Sequence, residues 1–82
     1  MNNPIEEANE LTTIMCVEQV GGLLKAAGLM LQVPAKNPPR LFAGVLDKMG
    51  PLAESLLKQA DDFEEFGRNM RAMRELRRKA EQ

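Results

Sequence analysis

The five prolines stand at positions 4, 34, 38, 39 and 51, so the long runs 5–33 and 52–82 contain none. Proline lacks an amide hydrogen and clashes with the preceding turn, so it suits a helix's first turn and disrupts its interior. Asn3-Pro4 reads as a cap followed by the first helical position, with Glu6 and Glu7 near the positive end of the helix dipole. Ile5, Ala8, Leu11, Met15, Val20, Leu23, Leu24, Ala27 and Leu31 then recur at intervals of mostly three to five residues. That spacing predicts a first helix over about residues 4–31. Pro34 disfavours helical geometry at the residue before it, so residues 32–37 are expected to form a connector. Asn37-Pro38 repeats the cap-and-proline pattern and predicts a short helix over about 38–49, with Leu41, Phe42, Val45 and Met49 on one side. Gly50 is expected to end it in a left-handed conformation, and Pro51 to begin a third helix over about 51–79.

The expected fold is all-α: an antiparallel hairpin of two long helices with a short middle helix, in one domain over residues 1–82. A chain of this length buries only roughly 60–65% of its extended surface, and small domains usually need a disulfide, a metal or a partner subunit. With one cysteine and no histidine, an intrachain disulfide is impossible and most zinc sites are excluded. Oligomerisation is the expected staple. The lone Cys16 suits a reducing compartment, and the N-terminus lacks a signal-peptide pattern, so a cytoplasmic location is expected. The most apolar stretch, Ile14 to Val33, would carry Glu18, Gln19, Lys25 and Gln32 into hydrocarbon, so no membrane span is expected. Acidic residues interrupt the third helix, which argues against its binding a membrane surface.

In the third helix, Leu52, Leu56, Gln59, Phe63, Phe66, Met70, Met73, Arg77 and Ala80 alternate at spacings of four and three. This is a heptad seam. Leu57, Ala60 and Leu76 widen it, and two helices form a layer with nothing to cover both sides. Leu56, Phe63, Phe66, Met70 and Met73 are therefore the candidate oligomer interface. Asp61, Asp62, Glu64 and Glu65 precede Arg68, Arg71, Arg74, Arg77, Arg78 and Lys79 on the same helix, in a chain of net charge −1. An antiparallel pair crossing near Gly67 to Met70 would set each acidic block against the partner's basic block. An antiparallel homodimer through the third helix is thus expected, with Asp61, Asp62, Glu64, Glu65, Arg68, Arg71, Arg74 and Arg78 setting its orientation or binding a partner.

Catalysis finds little support, and no enzyme activity is expected. There is no histidine or tyrosine, and Ser55 is the only serine. Cys16 sits in an apolar helical pattern and is expected to be packed rather than reactive. Gly21-Gly22 lies inside a helical pattern, not in a phosphate-binding loop. Gly22, Ala26 and Ala27 are instead expected to allow tight helix packing. The acidic cluster lacks the loop spacing and turn glycine of a calcium site, so neither metal nor cofactor is expected.

The reading that follows is a non-catalytic protein-protein interaction module: an adaptor, chaperone or inhibitor that docks as a homodimer on an unidentified larger protein. Small helical proteins of this kind occur among bacterial and phage accessory factors, an analogy of fold and not of function. One alternative is a nucleic-acid-binding dimer using the stripe Arg68, Arg71, Arg74 and Arg78. Another is a self-assembling structural subunit. In length, paired long helices and the proline-containing connector Pro34 to Leu41, the chain is similar to type III secretion needle subunits. Its terminal run Arg74-Glu75-Leu76-Arg77-Arg78-Lys79 departs from the apolar tail of such filaments, and no family membership is drawn from the similarity.

Overall fold

The computed structural model describes residues 3–81. Helix α1 spans Pro4–Lys36, a 3-10 turn spans Arg40–Phe42, α2 spans Ala43–Leu46 and α3 spans Met49–Glu81. Among the described residues there is no strand, and the fold class is all-α. Asn3 caps α1 by accepting the Ile5 amide on Oδ1 at 2.9 Å, and Pro4 follows where no amide is needed.

The two long helices lie side by side with the chain direction reversed. Gly28 meets Ala53 and Leu57, Gly21 meets Ala60 and Phe63, and Glu18 meets Gly67 and Arg71. The buried residues Ile14, Gly21 and Gly28 on α1 and Ala53, Ala60 and Gly67 on α3 each recur every seven residues. A heptad of small residues lets two backbones approach closely, and the distances confirm it. A β-carbon on Gly28 would lie 2.8 Å from Leu57 Cγ and 3.1 Å from the Ala53 carbonyl oxygen. One on Gly21 would lie 3.2 Å from Phe63 Cβ. The result is a thin slab whose Cα trace measures 63 × 19 × 13 Å. Its only fully enclosed hydrophobic side chains, among the described residues, are Ile14, Ala53 and Ala60.

Several boundaries differ from the sequence expectation. α1 continues through Pro34 to Lys36 instead of stopping near Leu31. Leu31, Pro34 and Ala35 are half-buried, so packing there outweighs the proline penalty so near the helix end. Asn37 ends α1, its amide donating to the Val33 carbonyl, and does not start a helix. The expected helix over 38–49 is reduced to the 3-10 turn and the four-residue α2. Gly50 takes no left-handed conformation but lies inside the first turn of α3, where Pro51 also fits because first-turn amides have no helical acceptor. The small residues that permit close approach are Gly21 and Gly28; Gly22 faces open space and Ala26 is exposed. Cys16 is exposed rather than packed.

The seam makes opposite forecasts for two glycines on one helix. Gly28→Ala forces the Leu57 side chain and the Ala53 backbone away and should destabilise by about 1–3 kcal/mol despite alanine's better helix propensity. Gly22→Ala meets nothing within 4 Å and should stabilise by up to about 1 kcal/mol. Urea unfolding followed by circular dichroism measures both, and equal effects at the two sites would contradict close packing at Gly28.

Candidate protein-protein interface

With the small residues turned inward, the bulky ones flank the seam, and the two sides of the slab differ in chemistry. On one side α1 places Val17, Leu24 and Leu31 beside the seam, with Thr13, Val20 and Ala27 further out. Across from them α3 places Leu56, Phe63 and Met70, with Leu52, Phe66 and Met73 further out. Glu10 and Thr13 share a groove of about 460 Å³ with Met70, Met73 and Arg77, which puts these rows of α1 and α3 on the same side. Phe66 is 64% exposed and Met73 69%. From Thr13 to Leu31 the α1 rows on this side carry no charge. The opposite side carries Glu18, Lys25 and Gln32 against Glu64, Arg71 and Arg78.

All five residues expected at an oligomer interface fall on the apolar side. Leu56, Phe63 and Met70 are half-buried along the seam, while Phe66 and Met73 stand free. Val17, Val20, Leu24 and Ala27 complete that side from α1; Val20, Leu24 and Ala27 were read from the sequence as part of a helical face but not as an interface, and Val17 was not singled out. A cue was present: Thr13, Val17, Val20, Leu24, Ala27, Leu31 and Pro34 alternate at spacings of four and three without a charge.

The charged candidates are not gathered on this surface. Asp61, Glu64, Arg68, Arg71 and Arg78 occupy heptad positions on the other side of the slab. Asp62 and Glu65 line a depression with Phe66, Asn69, Met70 and Met73 at the outer edge of α3. Arg71 grips Glu18 of the same chain with two hydrogen bonds, Nε to Oε2 at 2.7 Å and Nη2 to Oε1 at 2.8 Å. Arg77 donates two hydrogen bonds to Glu10, and Arg74 Nε lies 3.8 Å from Glu10 Oε2. That last distance is Coulombic contact without a hydrogen bond. The expected arginine stripe is thus partly consumed by α1. Gly67 likewise opens no intermolecular crossing; a β-carbon there would lie 3.0 Å from Glu18 Cγ. Glu10 and Glu18, the acceptors, were not among the sequence candidates.

Hydrogen bonds from Arg77 and Arg71 hold the Glu10 and Glu18 carboxyls below their ordinary value, outweighing the opposing desolvation. The same bonds raise Arg71 and Arg77. Among the described residues no group of histidine, cysteine and acidic side chains has the makings of a metal site.

Carboxyls with depressed folded-state values stabilise fully above the ordinary value of 4.5, and that contribution disappears as pH falls through the lowered one. Below about pH 4.5 the wild-type melting temperature should therefore fall more steeply than that of a Glu10→Gln/Glu18→Gln variant. Parallel acid profiles in circular dichroism melts would deny the two pairs that role.

Comparison with protein families, curated proteins and solved structures finds no match to this chain.

Proposed function

We propose that this protein is a non-catalytic interaction module that works in the cytoplasm as a helical homodimer: an adaptor, chaperone or inhibitor for a larger protein. One observation carries the reading. A slab 63 Å long leaves one side open, uncharged from Thr13 to Leu31 on α1 and from Leu52 to Met73 on α3, while the only hydrophobic side chains enclosed among the described residues are Ile14, Ala53 and Ala60. So little enclosed volume is a weak basis for a lone subunit. A second copy seated on that side would build a four-helix bundle and enclose both apolar surfaces.

The antiparallel arrangement is favoured because it centres the interface on Phe63 and Phe66, near the middle of α3, where energetically dominant aromatic contacts usually lie. The engagement of Arg71 and Arg74 with α1 favours a protein partner over nucleic acid.

Sedimentation equilibrium at micromolar concentration should give twice the 9.1 kDa chain mass. Phe66→Asp/Met73→Asp buries two unpaired carboxylates in the pair and should weaken association by roughly a hundredfold or more. A folded wild-type monomer at these concentrations would sink the proposal. Growth beyond a closed dimer would favour the self-assembling subunit instead.

A further inference from the structure

A second exposed apolar cluster lies at the turn end of the slab, past the seam's last layer of Gly28 against Ala53. The chain leaves α1 at Asn37, bends at Pro38 and Pro39, and forms the 3-10 turn and α2. Here Leu41 is 85% exposed, Val45 61% and Phe42 54%. A leucine that exposed protrudes from the protein rather than lining a groove. From Leu41 to Leu46 the chain carries no charge. On α1, Met30 and Val33 are also exposed and extend apolar surface toward the turn.

The charges around this tip differ from those elsewhere. Lys36, Arg40 and Lys48 are all exposed, and the only acidic residue between Lys36 and Lys48 is Asp47. Among the described residues, none of these three cations forms an ion pair. At the opposite end Arg71, Arg74 and Arg77 are tied to carboxylates of α1, whereas Arg78 and Lys79 are in no ion pair among the described residues. The tip therefore combines protruding apolar side chains with a rim of net positive charge, Lys36, Arg40 and Lys48 against Asp47.

We propose that this tip docks the protein on an anionic lipid surface. Leu41, Phe42 and Val45 enter the boundary between headgroups and acyl chains, while Lys36, Arg40 and Lys48 meet the lipid phosphates. Interfacial binding depends on this pairing of buried apolar area with electrostatic attraction. A lipid surface suits the tip better than a protein groove, because a soft, uniformly anionic layer accepts a convex point ringed by cations without a matching cavity. Docking is peripheral. α1 is long and apolar enough to cross a bilayer, but its Glu18 is bound to Arg71 of the highly charged α3, so inserting α1 would break that pair or drag α3 along. This inference goes beyond the dimer reading and does not depend on it.

The test is co-sedimentation of the full chain with phosphatidylcholine vesicles, with and without phosphatidylglycerol, at low and high salt. Binding is expected only to vesicles containing phosphatidylglycerol, with release at high salt. Each basic residue should contribute roughly fivefold in affinity, so Lys36→Gln/Arg40→Gln/Lys48→Gln should weaken binding about a hundredfold. Leu41→Glu/Phe42→Glu should abolish it while leaving helicity and sedimentation mass unchanged, because both side chains are exposed. No binding to anionic vesicles at low salt, equal binding to both vesicle types, binding resistant to salt, or binding untouched by Leu41→Glu/Phe42→Glu would each overturn the proposal.

Discussion

The close approach of two backbones along a heptad of glycine and alanine governs the rest of this structure. Where Gly28 lies against Ala53 and Leu57, and Gly21 against Ala60 and Phe63, α1 has no room for a side chain of its own between the helices. The usual hydrophobic core, built from large side chains pointing at one another, is therefore absent. Val17, Leu24, Phe63 and Met70 are displaced sideways and only half covered. Tight contact maximises dispersion between the helices but removes little apolar area from water. The thinness of the slab and the exposure of its apolar side share that single cause.

The small-residue row does not run the full length of the pair. On α3 it reads Ala53, Ala60, Gly67 and then Arg74; opposite, it reads Gly28, Gly21, Ile14 and then Glu7. Past Ile14 the inward position is polar, and ion pairs replace backbone contact. Glu10 with Arg77 and Glu18 with Arg71 hold this open end together. They also help fix register, because a slip of one heptad would separate each carboxylate from its guanidinium. Solvent-exposed pairs close a helix end less firmly than packed backbones, so the free ends should open before the turn end.

Proline placement made the helical class and the two long elements legible, since five residues at five positions rule out most other arrangements. The inner seam was harder to read. Hydrophobicity placed Leu52, Phe66 and Met73 in a heptad seam, and the row of α3 that meets α1 lies one residue further on, at Ala53, Gly67 and Arg74. On α1, likewise, large residues such as Met15 and Leu23 drew attention while Gly21 and Gly28 occupied the contact. Alanine and glycine carry weak hydropathy signals, and their effect depends on what lies opposite, which one helix's pattern does not contain. The five interface candidates nevertheless fall on one side, because a large residue excluded from a narrow seam must flank it. Two of the charged candidates, Arg71 and Arg74, are engaged by Glu18 and Glu10 of the other helix, partners that the pattern of one helix does not contain. The turn was misread for a related reason: an asparagine before a proline resembles a helix start, but Asn37 serves the end of the helix before it.

In the proposed dimer, folding and association are coupled. A helix pair with its apolar side open is stabilised by whatever covers that side, and mass action makes its stability depend on the concentration of the cover. In the proposed dimer that cover is a second copy, present at the concentration of the first. The orientation of that pair then constrains the tips. In an antiparallel pair the two turn ends lie at opposite ends of a rod about 63 Å long. Both tips could then reach one flat lipid surface only with the rod lying along it, and the second contact would form at the high effective concentration of a tethered site. A parallel pair would instead set both tips at one end and hold the rod upright. The dyad that closes the apolar side would thus decide whether the protein lies flat on its surface or stands away from it.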